Sequence, residues 1–352
     1  MKVLISYLFC SKGGVETALF NRLSMIDRQM YTVDLHFFYD YGGMEIFQNW
    51  KGNIYIDNRE EAVKSLIRKN QYDFVITIDS LGILKILEQT GYSGRIGLEV
   101  HTTYEEGMRY LSDKRMEMVN FIIVPSVYQK KLTQQKLKNK KIYVVGNAVN
   151  NNICNRKECM LDTNKKVILW VGRIDDHKNW RLFMQIAGFL HKSADCFLFW
   201  IAGGLKSDPR DINKFEKYLY AMDLERHVYW IPQVDYKNIG TLYSYAANSG
   251  GCYISTSKNE SFGMTVIEAM KCRCPVIVNA VGAFQEIVGD TRGLCLEDMG
   301  KLEHMERIRE FILQEDKNTY VNQAEKYVRE EFSCEAVAKK FCSILDHVRE
   351  KE

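Results

Sequence analysis

Glu260 and Glu268 are the residues of this chain whose type and spacing point most directly to chemistry. They stand eight positions apart at the two ends of the segment Glu-Ser-Phe-Gly-Met-Thr-Val-Ile-Glu. An apolar run typical of a strand precedes the segment, so we expect Glu260 in a strand-to-helix loop and Glu268 about two turns into the next helix. Ionised carboxylates accept hydrogen bonds from hydroxyl groups such as those of sugars and riboses. The spacing therefore predicts a site for a hydroxyl-rich ligand.

The residues between the two carboxylates support the same interpretation. The backbone N–H groups of Phe262 and Gly263 fall at a predicted helix N-terminus, where they can meet an anion. Glycine at 263 also lets a ligand approach the backbone closely. A solvated loop residue and a surface helix residue are the alternative for such a pair of glutamates. Val266 and Ile267 count against it, because Glu268 then lies in an apolar stretch and needs a partner.

Two cations follow a second predicted strand. Arg173 comes directly after the apolar run 167–172, and Lys178 follows five residues later, just before a helix. A forked guanidinium and a compact ammonium together suit a diphosphate. Two solvated cations beside Asp175 and Asp176 are the alternative, and the position at a strand end favours the functional interpretation.

The first half of the chain has two weaker signals. Gly13 and Gly14 follow the first strand and open the first helix, where glycine can bring backbone N–H groups onto an anion or a sugar. A simple tight turn explains the glycine pair equally well, and the dinucleotide fingerprint Gly-x-Gly-x-x-Gly is absent from the sequence. His101 ends the predicted strand 95–101, where it could donate a hydrogen bond to a sugar or phosphate. A structural histidine fits that position as well.

Composition limits the class of protein. A chain of 352 residues is long enough for two domains, and a net charge of +3 gives no reason to expect a nucleic-acid partner. No apolar run reaches the ~18 residues of a membrane-spanning helix. The ten cysteines are scattered, which is typical of reduced thiols in the cytoplasm. Cys272 and Cys274 lack a second pair, and no metal-binding or phosphate-loop motif is present, so we expect neither a metal nor a cofactor.

The elements that must position these residues alternate along the chain. Strands are predicted at 2–8, 32–39, 73–79, 95–101, 121–125 and 142–145, and again at 167–172, 197–202, 228–232, 251–256, 275–278 and 293–296. Helices are predicted at 15–26, 180–191, 212–222, 239–246, 262–271 and 332–348. Such alternation predicts an α/β fold with two Rossmann-like domains facing each other across a ligand-binding cleft. We place the domains at 1–148 and 149–332, with a boundary region at 147–165, and expect the last helix, about 333–352, to return to the first domain.

Taken together, these segments resemble the retaining glycosyltransferases of family 4, which have the GT-B fold. The matching segments run through most of the chain: Gly13-Gly14-Val15-Glu16, Val171–Asp175 with Lys178-Asn179, Ile201–Gly204, Tyr229–Val234, Glu260–Met270, Cys274–Ile277 and Phe332–Ala338. The resemblance implies a sugar-nucleotide donor held mainly by the second domain. It implies that Arg173 and Lys178 contact the diphosphate, Glu260 the donor sugar and Glu268 the ribose, and that His101 faces the donor sugar.

The resemblance also implies which other residues bind the donor. His101, Arg173, Lys178 and Glu260 form the expected catalytic set, and the expected donor-binding residues are Gly13, Gly14, Gly203, Val234, Ser261, Phe262, Gly263, Met264, Thr265 and Glu268. The implied reaction is sugar transfer with retention of anomeric configuration and without a metal, since Arg173 and Lys178 are the expected neutralisers of the leaving diphosphate.

We expect the acceptor to be a growing glycan or glycolipid of bacterial cell-surface polysaccharide synthesis, with a small-molecule acceptor of a soluble enzyme as the alternative. The segment 128–141 carries six lysines, which could attach a cytoplasmic enzyme peripherally to an anionic inner membrane face. A solvated helix face is the alternative meaning of the lysines. Two alternatives for the whole protein remain: a non-catalytic glycosyltransferase-like partner subunit, and an NAD-dependent Rossmann enzyme.

Overall fold

The computed structural model describes residues 1–159, 164–205 and 207–350. The chain divides into two compact units, Met1–Ala148 with Glu331–Glu352, and Val149–Glu330. Within the predicted boundary region 147–165, residues 160–163 lie outside the described part, as do the last two residues of the predicted closing helix. Each unit is built around one parallel sheet, which confirms the predicted class of two Rossmann-like α/β units.

The first unit has a seven-stranded sheet in the described residues, ordered β3-β2-β1-β4-β5-β6-β7. Its strands are β1 (Lys2–Cys10), β2 (Thr32–Asp40), β3 (Ile54–Ile56), β4 (Phe74–Ile78), β5 (Arg95–Glu99), β6 (Phe121–Val124) and β7 (Ile142–Val144). Its helices are α1 (Gly14–Leu23), α2 (Glu60–Asn70), α3 (Gly82–Thr90) and α4 (Val127–Lys136). Successive side chains of a strand point to opposite faces, so Val3 and Ile5 join one core cluster and Leu4 the other.

The second unit has a six-stranded sheet in the described residues, ordered β10-β9-β8-β11-β12-β13. Its strands are β8 (Lys166–Val171), β9 (Phe197–Ala202), β10 (Val228–Ile231), β11 (Cys252–Ser255), β12 (Val276–Asn279) and β13 (Leu294–Leu296). Its helices are α5 (Trp180–Ser193), α6 (Pro209–Ala221), α7 (Ile239–Asn248), α8 (Met264–Lys271), α9 (Phe284–Ile287), α10 (Leu302–Leu313) and α11 (Asn318–Glu331).

The last helix, α12 (Cys334–Glu350), belongs to the first unit. Val337, Phe341 and Leu345 recur every four residues, so they share one face of the helix. All three are buried in the same core cluster as Leu19 and Leu23 of α1. This apolar stripe explains why the end of the chain packs on a unit that is otherwise formed by its beginning.

The structure corrects several predicted bounds. Strand β5 ends at Glu99, so His101 lies in the loop two residues beyond it. Helix α8 begins at Met264 rather than Phe262, because Gly263 adopts the left-handed conformation that precedes the helix. Glu268 is therefore little more than one turn into α8. The three-residue edge strand β3 and the helices α10 and α11 have no predicted counterpart.

Candidate functional site

The central strands of the second unit bring two of its functional loops together. Strands β8 and β11 are neighbours, and from this pair the chain proceeds to β9 and β10 on one side and to β12 and β13 on the other. Ligands of open parallel sheets bind at the carboxyl ends of the strands where the order reverses in this way. Lys178 follows β8 and Glu260 follows β11, so both loops start at this position.

Lys178 and Glu260 form a direct ion pair. It lies at the point where the strand order reverses between β8 and β11, which we call the switch position. The ammonium Nζ of Lys178 lies 2.5 Å from Oε1 of Glu260, and the Ser257 hydroxyl donates to the same oxygen at 2.8 Å. Burial acts to raise the pKa of Glu260, but the Lys178 ammonium outweighs it and holds the pKa below its ordinary value. Glu260 is thus kept ionised, as an acceptor of hydrogen bonds from a ligand must be.

The backbone around Lys178 is held in place by side chains of its own unit. Its N–H donates to Oδ1 of Asp175 at 2.8 Å, and the Thr256 hydroxyl lies 3.0 Å from the carbonyl oxygens of Lys178 and Asn179. The indole N–H of Trp170 donates to the Thr256 hydroxyl at 3.1 Å. Lys178 therefore reaches Glu260 from a fixed loop, which is what preorganised electrostatic catalysis requires.

Arg173 is placed differently from Lys178. Its side chain is 64% exposed, and its Nε lies 3.0 Å from Oδ2 of Asp175. The two predicted cations therefore have different partners in the structure. Lys178 pairs with Glu260, whereas Arg173 pairs with Asp175 at the surface. An exposed guanidinium can exchange a surface partner for a ligand anion at little cost, because such ion pairs contribute little.

The segment between the two glutamates is shaped by Gly263. Its φ is +101°, and a Cβ at this position would lie 2.3 Å from the Phe284 ring, so a larger residue cannot be accommodated. Phe262 is buried, and Thr265 in the first turn of α8 accepts a hydrogen bond from the Tyr253 hydroxyl at 2.8 Å. Ser261, together with Met264 at the start of α8, completes this strand-to-helix loop.

Glu268 is buried inside the second unit. The Tyr243 hydroxyl donates to its Oε2 at 3.3 Å. Burial raises the pKa of Glu268 to about 7, although hydrogen bonds from Tyr243 and Tyr236 act in the opposite direction. The sequence-based expectation that this residue needs a partner is met by a tyrosine rather than by a cation.

Gly203 and Val234 lie at the carboxyl ends of the neighbouring strands. The Trp230 indole N–H donates to the carbonyl of Gly203 at 2.9 Å. Gly203 has a φ of +108°, and a Cβ there would lie 2.5 Å from the carbonyl oxygen of Gly172, so β8 and β9 end in close backbone contact. Val234 lines a surface cavity of about 560 Å³ with Gln233, Asp235 and others.

In the first unit, Gly13 and Gly14 form the turn between β1 and α1. Gly13 is the N-cap residue of α1 and accepts a hydrogen bond from Thr17 N–H. The buried Glu16 carboxylate accepts hydrogen bonds from the backbone N–H of Ser11 at 2.7 Å and from its hydroxyl at 2.6 Å. Because Glu16 is in the first turn of α1, these hydrogen bonds hold the loop between β1 and α1 against the helix.

His101 is oriented by a buried chain of charged groups. Its Nε2 lies 3.2 Å from Oε2 of Glu99, and the Arg22 guanidinium donates to both oxygens of Glu99 at 3.2 and 2.6 Å. Burial raises the pKa of Glu99, but Arg22 and His101 outweigh it and lower the pKa to about 2. The backbone N–H of His101 also donates to Oδ1 of the half-buried Asp79 at 3.0 Å. Glu99 is therefore an ionised hydrogen-bond partner of the imidazole.

Three exposed aromatic residues cluster where β1 and β2 end. Phe9, Tyr39 and Tyr41 are 39, 42 and 60% exposed. The ring centroid of Phe9 lies 6.1 Å from that of Tyr39 and 5.4 Å from that of Tyr41. These residues lie at the carboxyl edge of the first sheet, the edge from which the Gly13-Gly14 turn also starts.

The lysine-rich segment 128–141 is only partly a free basic surface. Lys136 pairs with Glu105, Lys140 donates to the backbone carbonyls of Glu117 and Val119, and Lys141 contacts His347. Lys130 and Lys131 of α4 line a mainly apolar surface cavity of about 640 Å³ with Val127 and Val144. Lys130 and Lys131 of α4, with the exposed Lys138 beyond the helix, are therefore the lysines of the segment that could meet a surface.

Several residues of these arrangements were not identified from the sequence: Arg22, Asp79, Glu99, Tyr243 and Ser257. Only Glu99 gave a usable signal, because it stands two positions before His101 in an extended segment and so shares its side. Arg22 is 77 positions from Glu99, and no local pattern connects residues at that distance.

The comparisons with known proteins identify the family. The family description "Glycosyl transferases group 1" matches residues 152–328. This chain belongs to that family. Membership of family 4 within it stays a prediction.

Curated relatives resemble only part of the chain. Sucrose synthase 1 of Hordeum vulgare is 32% identical over 142 residues, 38% of this chain and 18% of the relative. Sucrose synthase 1 of Tulipa gesneriana is 25% identical over 241 residues, 63% of this chain and 29% of the relative. Across the first relatives compared, this chain spans roughly a fifth of their length.

Solved structures share the fold over the whole chain. The HepE structure of Anabaena in complex with UDP and glucose has a TM-score of 0.81 at 14% identity, covering 98% of this chain and 99% of that one. A glycosyltransferase from Rickettsia africae has a TM-score of 0.81 at 16% identity, covering 100 and 99%. These matches confirm the GT-B fold. In the described part of this chain, no helix is long and apolar enough to cross a membrane.

Proposed function

We propose that this protein is a retaining glycosyltransferase that moves a sugar from a nucleotide-diphosphate sugar to a hydroxyl of a glycan or lipid-linked glycan. The carrying observation is the Lys178–Glu260 pair at the switch position of the second sheet. It places an ammonium and an ionised carboxylate side by side, one suited to a phosphate and the other to a sugar hydroxyl. Membership of the group 1 glycosyltransferases supports this assignment.

The roles of the residues follow from their charges. In the reaction, the bond between the anomeric carbon and the diphosphate oxygen breaks, and a bond to the acceptor oxygen forms. The acceptor proton passes to the departing diphosphate. Lys178 and Arg173 stabilise the negative charge that develops on that group. Glu260 accepts hydrogen bonds from the donor sugar, and Glu268 from the ribose.

Retention of configuration is proposed on the resemblance to the retaining glycosyltransferases of family 4, and the surroundings of the carboxylates favour transfer over glycoside hydrolysis. Glu260 is held by Lys178 and Ser257, and Glu268 is buried against Tyr243. Both arrangements suit hydroxyl binding better than the acid–base or nucleophile pair of a glycoside hydrolase. The role of His101 toward the donor sugar, which the family resemblance implies, stays a prediction.

Uridine diphosphate is the first nucleotide to test. The Anabaena protein of similar fold was solved with UDP and with UDP-glucose. Thermal shift and calorimetry with UDP-, GDP- and ADP-sugars, followed by assays of donor hydrolysis, test the proposal. A nucleotide that binds and is slowly hydrolysed supports it. Binding without hydrolysis or transfer favours the non-catalytic partner subunit, and selective binding of NAD favours the dehydrogenase alternative.

A glycan acceptor is proposed on the aromatic cluster of the first unit. The exposed rings of Phe9 and Tyr41 offer apolar faces on which a sugar ring can stack, and contiguous exposed apolar surface marks binding sites. If the acceptor is lipid-linked, the basic end of α4 supplies electrostatic attraction to anionic lipid of the inner membrane face.

Liposome binding tests the membrane part of the proposal. The variant Lys130→Gln/Lys131→Gln should lower co-sedimentation with anionic vesicles at low salt. The matched control is Lys339→Gln/Lys340→Gln, which removes the same charge from the exposed side of α12. Equal binding of both variants, or binding that salt leaves unchanged, would contradict attachment through α4.

A further inference from the structure

A cluster of two imidazoles and one carboxylate lies at the edge of the second sheet opposite the Lys178–Glu260 pair. His191 is in the last turn of α5, Asp195 is in the turn before β9, and His227 directly precedes β10. The amino ends of parallel strands share one edge, and the switch-position loops leave from the other. The cluster is therefore remote from the proposed donor site within the same unit.

The three side chains are close enough to share one ion. Each offers a ligand atom, and these atoms all lie within 4.8 Å of one another. The imidazole rings of His191 and His227 have their centroids 3.9 Å apart with an interplanar angle of 37°. Both histidines are partly buried and Asp195 is exposed, so the site opens to solvent on the carboxylate side.

We propose that His191, Asp195 and His227 bind a divalent transition-metal ion, with Zn²⁺ as the best match. Imidazole nitrogen and carboxylate oxygen are ordinary zinc ligands at about 2.0–2.2 Å, and three protein ligands leave a fourth position for water. Tetrahedral ligands at that length stand roughly 3.3 Å apart. The partly exposed side chains reach this spacing by small rotations.

Lys165 is the group that competes with the ion. Its Nζ lies 2.7 Å from Oδ1 of Asp195, but the Asp195 side chain is 77% exposed. An ion pair so open to solvent contributes little. A coordinated dication therefore displaces Lys165 from Asp195. Lys165 can then turn to solvent without leaving a buried charge.

The consequence is structural rather than catalytic. The ion ties the end of α5 and the adjoining turn that enters β9 to the start of β10, which is well separated from them in sequence. Binding to the folded state alone stabilises it by mass action, so the melting temperature should rise with the zinc concentration. Donor hydrolysis should not change.

Calorimetry on the full chain, treated with EDTA and then titrated with ZnCl₂ at pH 7.5 under reducing conditions, tests the site. We expect one ion per chain, and an affinity at least tenfold weaker in His227→Ala and in Asp195→Asn. The control His304→Ala, whose imidazole instead contacts the Asp298 carbonyl, should bind as the unaltered protein does. Asp195→Asn lies on the surface and preserves the fold, which circular dichroism verifies.

Cobalt substitution separates this site from the cysteines of the chain. Co²⁺ bound by imidazole and carboxylate lacks the intense charge-transfer absorption of a cobalt thiolate. A Co²⁺ absorption spectrum that lacks the thiolate band supports the proposal, provided that this spectrum disappears in His191→Ala. A thiolate band, equal affinity in all variants, or no binding at 100-fold molar excess of zinc would overturn it.

Discussion

The ammonium of Lys178 and the carboxylate of Glu260 lie 2.5 Å apart although 82 positions separate them in the chain. Their side chains are 21 and 12% exposed, so each charge depends on the other for compensation. Removing one partner of such a pair costs more than the pair itself contributes, because the remaining charge is left without compensation. The pair therefore couples the stability of the second unit to its proposed chemistry.

Replacement of Lys178 should separate these two effects. In Lys178→Ala, donor hydrolysis or transfer should fall by about 10²–10³-fold, the usual loss for one electrostatic partner of the transition state. The fold should persist with a free energy of unfolding lowered by about 2 kcal/mol, a value discounted for the remaining solvent exposure. Kinetics and chemical denaturation measure the two quantities.

The matched control is Lys217→Ala, which removes an exposed lysine of α6 in the same unit. It should change neither activity nor stability measurably. The double variant Lys178→Ala/Glu260→Gln should recover part of the lost stability but none of the activity. Near-normal turnover by a folded Lys178→Ala protein would contradict the proposed role.

The sequence was sufficient to predict the fold and the loops of the site, but not the contacts within it. Strand β9 was predicted with its observed bounds, because a buried strand between turn residues gives a clear local pattern. The pairing of Lys178 with Glu260, and of Arg22 with Glu99, depends on which strands become neighbours. Strand order is a property of the whole sheet, and no local periodicity encodes it.

Glu268 should make stability depend on pH near neutrality. Burial raises its pKa from 4.5 to about 7 in the folded state. The folded protein thus prefers the protonated carboxyl, and this contribution is complete below pH 4.5 and is lost as the pH rises through 7. The difference between the two pKa values corresponds to about 3 kcal/mol.

The variant Glu268→Gln supplies the comparison, because its amide does not titrate. Between pH 5 and pH 8, the free energy of unfolding of the unaltered protein should fall relative to that of Glu268→Gln by about 2–3 kcal/mol. Urea denaturation at each pH measures this difference. Parallel pH profiles for the two proteins would show that Glu268 is ionised throughout.

Glu260 and Glu268 should bind different parts of the donor, the sugar and the ribose respectively. An ionised carboxylate accepts hydrogen bonds from hydroxyls more strongly than an amide does. Above pH 7, where Glu268 is ionised, Glu268→Gln should therefore weaken binding of the free nucleotide, whereas Glu260→Gln should weaken binding of the intact donor and leave the nucleotide nearly unaffected. Calorimetry with both ligands decides, and equal effects of both variants on both ligands would rule out separate roles.

The proposed chemistry should survive removal of metal ions. Lys178 and Arg173 are proposed to stabilise the leaving diphosphate, and the proposed zinc cluster lies at the opposite edge of the sheet. Donor hydrolysis after exhaustive dialysis against EDTA should thus stay within about twofold of its initial rate, and the melting temperature should respond to added zinc. Complete loss of hydrolysis that Mg²⁺ or Mn²⁺ restores would place a metal in the reaction instead.

Glu99 should hold His101 in a defined orientation through a charge that Arg22 compensates. In Glu99→Gln, the amide cannot accept as strongly from the imidazole, and the buried Arg22 loses its counter-ion, so we expect a loss of about 3 kcal/mol in stability. The exposed control Glu106→Gln should stay within about 0.5 kcal/mol of the unaltered protein.

If His101 acts in the reaction, kcat of the Glu99→Gln variant should fall more than its KM for the donor rises. A variant that is destabilised but keeps kcat would restrict Glu99 to a structural role.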